Sequence, residues 1–226
     1  MSLSSARPRV PSVLALAAAA CCAAAAPAGA QTVYTSRAAF LAALGGGATT
    51  YTFDGLAPAP AYTAPITAVG PLTLTPGPGT GLAVFNPLFD PVYNYGTGDV
   101  LAAFRGVGAA EFVIAAPGPL YAFGIDFGQA SPPNPQANYT FTLSTGFSRT
   151  LAGGAAGPAG GAKAFTTFFG VIAPVAFTSV GVSVDRGDVP VFDNLTVAAV
   201  PEPATVVLVG GGVFTLAGLA RSRRRS

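Results

Sequence analysis

Glycine and proline interrupt this chain too often to favour long helices. The 226 residues include 29 glycines and 21 prolines, and both residue types destabilise helix interiors. Between these interruptions lie short runs rich in Phe, Val, Thr and Tyr, which are preferred in strands. In one run, Tyr121, Phe123, Ile125 and Phe127 alternate with small or polar residues, so they share one face of a strand. Such alternation is typical of antiparallel sheets with a single buried face.

Ten segments of this kind predict a mainly β fold, namely an antiparallel, jelly-roll-like β-sandwich. They are 49–53, 72–75, 82–85, 100–104, 110–114, 120–127, 139–143, 164–171, 177–184 and 192–198. One short helix is expected within residues 31–44, where Ser36 can act as the N-cap and Gly45 begins a glycine run that ends it. We therefore expect one β domain over residues 31–200.

Residues 1–30 have the pattern of a secretory signal peptide. Arg7 and Arg9 precede an uncharged run, 13–26, which is followed by the Ala-x-Ala cleavage site formed by Ala28 and Ala30. The alternative is an N-terminal membrane anchor, although the run is short for a membrane span. We therefore expect export across a membrane and cleavage after Ala30.

Both cysteines of the chain, Cys21 and Cys22, lie inside this leader. A lipoprotein would be cut before Cys21, but the preceding alanines lack the Leu that usually opens that motif. Cleavage after Ala30 leaves no thiol, which excludes disulfides and a cysteine nucleophile from the mature chain. Because the chain has no histidine, Ser-His-Asp catalysis and His-based zinc sites are also excluded.

The basic residues are concentrated at the two ends of the chain. The whole chain has a formal charge of +2, but residues 31–200 contain five Lys or Arg against eight Asp or Glu, a net charge of −3. Nucleic-acid binding needs a basic patch on the folded domain, and this balance gives no support for one. We therefore expect no nucleic-acid partner.

The C-terminal segment, 201–226, combines a Pro-Glu-Pro motif with an apolar stretch and a basic end. Pro201, Glu202 and Pro203 precede the uncharged stretch 204–220, which is long enough as a helix, about 25 Å, to cross a thin bilayer core. Four arginines then follow, namely Arg221, Arg223, Arg224 and Arg225. Arginines at the end of a span stay on the cytoplasmic side, so we predict a C-terminal transmembrane helix with that orientation.

This order of elements resembles the PEP-CTERM sorting signal. The resemblance implies an exosortase, a membrane transpeptidase, that recognises Pro201, Glu202 and Pro203, and these residues would do no chemistry themselves. It also implies a membrane-anchored precursor in a Gram-negative bacterium, destined for the cell surface or extracellular matrix, often with exopolysaccharide. An ordinary tail anchor is the alternative. The spacing of Tyr34 and Arg37, followed by a Phe, is similar to the start of other secreted proteins with such tails.

Two acids, Asp54 near the start of the body and Asp193 near its end, are candidate metal ligands. Their placement resembles carbohydrate-binding jelly rolls, in which acids on the first and last strands hold a structural Ca²⁺ together with backbone carbonyls. Antiparallel first and last strands would bring the two acids together, and Ca²⁺ prefers oxygen ligands. The alternative is that both acids cap turns by accepting hydrogen bonds from nearby amides.

Three functional hypotheses follow from these observations. The first is a non-catalytic surface or matrix protein, the second a carbohydrate-binding module, and the third a glycoside hydrolase that uses two carboxylates. A glycan site could stack sugars on Tyr93 and Tyr95 and bond their hydroxyls to Asn86 and Asn94, unless these rings are buried in the fold. The missing histidines, the few charges and the lack of a catalytic motif favour the first hypothesis. An Arg-Gly-Asp tripeptide at 186–188 is consistent with a simple loop.

Overall fold

The structure is a computed structural model. It describes residues 30–105, 109–130, 137–153, 163–185 and 189–200. The leader with Ala28, the Arg-Gly-Asp tripeptide, and the tail with the Pro-Glu-Pro motif and the terminal arginines therefore lie outside the described residues.

Strands dominate the described part of the chain, where helix α1 (Arg37–Leu44) is accompanied by a 3₁₀ turn at Pro91–Tyr93 and twelve strands. The strands are β1 (Thr32–Tyr34), β2 (Thr49–Tyr51), β3 (Thr63–Pro65), β4 (Ala68–Val69), β5 (Leu72–Pro76), β6 (Thr80–Phe85), β7 (Val100–Arg105), β8 (Ala110–Gln129), β9 (Asn138–Leu143), β10 (Ser148–Ala152), β11 (Thr167–Val184) and β12 (Pro190–Ala199). Their pairings are antiparallel. The predicted mainly β, antiparallel fold with a helix near the N-terminus is confirmed.

Helix α1 begins and ends at the residues that the sequence predicted. Ser36 is extended, and its hydroxyl accepts a hydrogen bond from the Ala39 amide at 3.4 Å. Gly45 adopts the left-handed conformation, with φ of 61°, and its N–H donates to the carbonyl of Ala42 at 3.3 Å. The helix buries Phe40 against the sheet.

Two of the predicted strand pairs are each one long, bent strand. The segments on either side of Pro117 form β8, of 20 residues, and those on either side of Pro174 form β11, of 18 residues. The register of the two strands shifts between Ile172 and Phe177. Proline lacks an N–H for the ladder, and an irregularity of this kind tolerates it. The prediction of separate strands was wrong there, because each proline marks a bend and not a chain reversal.

The bends fold the sheet into two layers. Its strand order is β10-β9-β11-β8-β12-β7-β6-β3, with β1 added to β11, β2 to β12, and β5 to β8. In the first layer, the first half of β8 pairs with β5 and with the second half of β11. In the second layer, the second half of β8 pairs with β12 and with the first half of β11. The finer description of the topology as jelly-roll-like stays a prediction.

Aromatic rings from both layers fill the space between them. Phe112 of the first layer meets Phe192 of the second with ring centroids 5.1 Å apart, and Phe141 stacks on Phe169 at 4.3 Å. All four side chains are buried and belong to one apolar cluster. Burying rings of this size is the main stabilising contribution that a β body without disulfides can make.

Within the described ranges, no helix has both the length and the apolarity needed to cross a membrane. The predicted transmembrane helix at 204–220 lies outside those ranges and stays a prediction.

Candidate functional site

Strand pairing brings Asp54 towards Asp193. Strand β2 pairs antiparallel with β12, with Tyr51 opposite Leu195, so the residues after β2 run alongside the residues before Leu195. The carboxylate of Asp54 accepts a hydrogen bond from the Asp99 amide at 3.0 Å and occupies the space where a side chain on Gly98 would lie. Gly98 has a φ of 100°, which suits glycine. Asp54 therefore caps this turn whether or not a metal binds.

The carboxylate of Asp193 is fully buried and only partly satisfied. Its Oδ1 accepts a hydrogen bond from the Asn194 amide at 2.6 Å, whereas its Oδ2 has no hydrogen-bond partner. Burial raises the pKa of Asp193 from 3.8 to about 6. Hydrogen bonds from the Thr97 side chain and the Asn194 amide oppose this rise in pKa, while the negative charges of Asp54 and Asp126 add to it.

Asp126 lies opposite Asp193 on the neighbouring strand and carries an ion pair with helix α1. The guanidinium of Arg37 donates to Asp126 Oδ2 at 3.0 Å, to Thr196 Oγ1 at 3.3 Å, and to the carbonyl of Asn194. Asn194 is left-handed, with φ of 53°, at a register shift of β12, and its side-chain Nδ2 donates to Asp126 Oδ2 at 3.0 Å. Burial raises the pKa of Asp126, and Arg37 and Asn194 moderate the rise.

Sequence reasoning missed this cluster of Arg37, Asp126 and Asn194. Arg37 and Asp126 are 89 residues apart, and no local pattern links them. The available signal was the spacing from Tyr34 to Arg37 in the resemblance to other secreted proteins. The cluster holds helix α1 against the irregular part of β12, so it is a structural clamp beside Asp193.

The residues around Asp193 fit a cation in part. A buried carboxylate oxygen without a donor is the kind of group that a bound cation satisfies. Among the described residues, however, no group of three or more His, Cys, Asp or Glu side chains could hold a metal ion together. A calcium ion at Asp54 and Asp193 would need hydroxyl or backbone oxygens for its other ligands, and calcium therefore stays a proposal.

The aromatic segment before β7 is packed against the body. Tyr95 is buried, donates its hydroxyl to the carbonyl of Gln129, and stacks on Phe165 with ring centroids 4.2 Å apart. Tyr93 stacks on Phe85 at 4.3 Å. The alternative that these rings are buried in the fold is therefore confirmed for Tyr95, whose ring is covered by protein and cannot serve as a platform for sugars.

The amides proposed to bond sugars are also engaged. The side chain of Asn86 donates to Asp99 at 2.6 Å and accepts from the Leu88 amide at 2.9 Å. The side-chain oxygen of Asn94 accepts from the Gly96 amide at 3.1 Å. These amides order the loop between β6 and β7.

A groove of about 370 Å³ crosses the outer face of the first layer. Gly181 of β11 forms its floor and lies between Val113 of β8 and Thr142 of β9 in the strand register. Its walls carry hydroxyls and one carboxylate, from Thr75, Glu111, Thr140, Thr142 and Ser183. The alternation of apolar residues with small or polar ones predicted the outer face of β11. The depression at Gly181 is visible only from the register in which β11 pairs with β8 and β9.

A comparison with protein families identifies the C-terminal segment. The PEP-CTERM protein-sorting motif matches residues 199–225. No curated protein sequence matches the chain.

The solved structures that align with this chain have low sequence identity and low TM-scores. A family 11 carbohydrate-binding module from Clostridium thermocellum, in complex with a beta-1,3-1,4-mixed-linked tetrasaccharide, aligns at 9% identity with a TM-score of 0.33, over 62% of this chain and 95% of that one. The family 11 module of the C. thermocellum cellulase Lic26A-Cel5E aligns at 9% identity with a TM-score of 0.35, over 69% of this chain and 98% of that one. The enzymatically active domain of bacteriophage CBA120 tailspike protein 4 aligns at 15% identity with a TM-score of 0.32, over 58% of this chain and 20% of that one. The chain therefore carries a PEP-CTERM protein-sorting motif, which follows the last strand of an antiparallel β body.

Proposed function

We propose that this protein is a non-catalytic surface or matrix protein that reaches its destination through its C-terminal sorting signal. The observation that carries the proposal is the sorting motif, which matches residues 199–225 and so begins at the last residue of β12. Such a motif implies export and a membrane-anchored precursor in a Gram-negative bacterium. The absence of histidine from the chain and of cysteine after Cys22 supports a role without histidine- or cysteine-dependent catalysis.

An exosortase is the partner that this proposal requires, with Pro201, Glu202 and Pro203 as its recognition residues. Glu202 is the charged residue of the motif, so an enzyme that reads the motif has most to lose when that charge is removed. Association of the processed protein with exopolysaccharide is part of the same proposal, and it comes from the resemblance to the PEP-CTERM sorting signal.

Replacing Glu202 with alanine should block processing in the native host. A hydrogen bond to a charged group contributes about 1.5–3 kcal/mol, so we expect the processed form to fall at least about tenfold while the membrane-bound precursor accumulates. Immunoblots of envelope and medium fractions, with mass spectrometry of both chain ends, measure this ratio. Glu111→Gln is the matched control, because Glu111 is the other glutamate of the chain. Normal processing of the Glu202 variant, or recovery of the full-length chain from the cytosol, would contradict the proposal.

A carbohydrate-binding module is the second candidate function, and the groove over Gly181 is the observation that favours it. The carboxylate of Glu111 and the hydroxyls of Thr75 and Ser183 are suited to hydrogen bonding with sugar hydroxyls, whereas the hydroxyls of Thr140 and Thr142 already pair with Thr150 and Ser148. Glu111 is the one acid among the described residues that line the groove, so the groove does not supply the carboxylate pair of a glycoside hydrolase.

Filling the groove should weaken glycan binding without harming the fold. A Cβ at Gly181 would lie 3.7 Å from the nearest atom, an ordinary contact, so Gly181→Val fits the strand and projects into the groove. We expect at least about a tenfold loss of affinity on a glycan array, since a blocked subsite forfeits several hydrogen bonds. Gly118→Val, at an open position outside the groove, is the control. Equal glycan binding by wild type and Gly181→Val would remove the groove as the site.

A further inference from the structure

Both ends of the described body meet at the bends of the two long strands. We call this region the bend pole, and it consists of residues 116–119 of β8 and 173–176 of β11. At the N-terminal end, Thr32 pairs with Ile172 beside the second bend. At the C-terminal end, the amide of Val200 donates to the carbonyl of Pro119 at 3.0 Å. The two ends of the described body, near Thr32 and at Val200, therefore lie at the same pole.

The bend pole is apolar and exposed. Pro117 and Pro119 are exposed on β8, as are Pro174 and Ala176 on β11, and the side chain of Val175 is 61% exposed. The segments 115–121 and 172–179, which contain the two bends, have no charged residue. The segments that adjoin the bends are also uncharged, namely 30–35, 67–73, 143–148 and 197–200. An uncharged surface can approach lipid without the cost of desolvating a charge.

Charged groups lie at the other ends of the same strands. The ammonium of Lys163 donates to the carbonyl of Ala130, which follows β8, and the amide of Asp185, which follows β11, donates to the carbonyl of Asn138. The body is therefore polarised, with an uncharged pole where the chain leaves it and charged groups at the distal end.

The sorting signal leaves little distance between this pole and a membrane. Val200 is still bonded to the body, and the uncharged stretch of the signal begins at residue 204. The four residue steps from Val200 to residue 204 span at most about 14 Å when fully extended. A body tethered this closely cannot turn its exit pole far from the surface into which the tail inserts.

We propose that in the membrane-anchored precursor the bend pole rests on the lipid surface, with Pro174 and Val175 in the headgroup region. This inference rests on the proposed function, because it needs the tail to be inserted. The contact fixes the orientation of the body and holds the Pro-Glu-Pro motif at the lipid surface, where a membrane enzyme can reach it. The groove over Gly181 then opens on the side of the body, away from the bilayer.

The test uses the mature chain, residues 31–226, which contains no cysteine, so that an introduced cysteine is a unique labelling site. Val175→Cys carries an environment-sensitive fluorophore at the bend pole, and Ala176→Cys provides a second label there in case the first disturbs folding. Ala152→Cys is the matched control, since Ala152 is exposed and pairs with Asn138 at the distal end. The labelled proteins are inserted into vesicles of phosphatidylethanolamine and phosphatidylglycerol that contain a headgroup spin-labelled lipid.

We expect the labels at positions 175 and 176 to be quenched severalfold more than the label at 152, in protein that floats with the vesicles. Equal quenching at all three positions in floating protein would overturn the inference and leave the proposed function intact. Protein that does not float with the vesicles would overturn both the membrane-anchored precursor and the contact that depends on it.

Discussion

Phe40→Ala will lower the free energy of unfolding by about 3–5 kcal/mol, the usual loss when a buried phenylalanine is truncated. The ring of Phe40 is fully buried, packs edge-on against Tyr34 with ring centroids 5.8 Å apart, and lies tilted against Phe168 at 5.5 Å. It lies over Gly124 and Gly170, which face each other across β8 and β11. No other side chain of helix α1 is fully buried, so this ring supplies the main apolar contact of the helix beside the polar contacts of Arg37. Urea unfolding of the mature chain measures the loss.

A double-mutant cycle tests whether the ring and the glycine floor act together. A Cβ on Gly170 would lie 2.6 Å from Cε1 of Phe168 and 2.8 Å from Cδ2 of Phe40, so Gly170→Ala alone should cost about 1–3 kcal/mol through overpacking. In the Phe40→Ala background we expect a smaller cost, because one of the two opposing rings is gone and the Phe168 ring gains space to shift. Leu41→Ala is the control within the same helix, since Leu41 is 38% exposed. If Phe40→Ala were no more harmful than Leu41→Ala, the helix would not depend on this contact.

Local signals made helix α1 predictable. Ser36 and Gly45 specify its ends through hydrogen bonds to residues three positions away, and such caps depend little on the rest of the fold. The very short strands could not be predicted in the same way. Ala68–Val69 has two residues and Thr32–Tyr34 has three, and both are strands only because a neighbour supplies the ladder. Tertiary context therefore decides these elements.

Proline was the least informative signal in the long strands. Pro117 and Pro174 were treated as strand ends, but both sit where the register between β8 and β11 shifts and the sheet folds over. A proline can either end a strand or mark a bend, and the choice depends on whether the partner strand bends at the same level. That information lies about 57 residues away in the chain, and local alternation does not carry it.

The candidate sites also differ in whether local sequence or tertiary contacts reveal them. The approach of Asp54 to Asp193 was argued from antiparallel first and last strands, and β2 does pair with β12 in that manner. By contrast, the clamp around Arg37 and the groove over Gly181 depend on which strands lie side by side. Sequence can therefore propose a pair of residues when chain order alone brings them together, and it fails where a surface is assembled from several strands.

Wild-type protein in EDTA will lose stability relative to Asp193→Asn as the pH rises from about 4 to about 7. Burial raises the pKa of Asp193 from 3.8 to about 6, so between these values the folded state holds a proton that the unfolded state has released. The group favours folding most below pH 4, and this advantage is lost as the pH rises through 6. The shift corresponds to a loss on the order of 3 kcal/mol. Asparagine has the same shape and does not ionise, so the difference between the two proteins isolates this group.

Urea unfolding at several pH values gives that difference, and Asp90→Asn serves as a reference for the loss of a carboxylate elsewhere in the body. A constant difference between wild type and Asp193→Asn across the range would show that the buried carboxyl does not titrate as described. Calcium supplies the second half of the experiment. An ion bound at Oδ2 would stabilise the charged carboxylate and, at a hundredfold excess over its dissociation constant, would contribute about 2.7 kcal/mol.

Calcium should therefore raise the melting temperature of the wild type at pH 7 and leave that of Asp193→Asn unchanged. It should also flatten the decline in stability between pH 4 and pH 7, because the ion replaces the proton on the buried carboxylate. If calcium leaves the melting temperature of the wild type unchanged while the decline persists, Asp193 is a buried carboxyl that destabilises the fold at neutral pH. Asp54 would then cap the turn at Gly98 and would not be a calcium ligand.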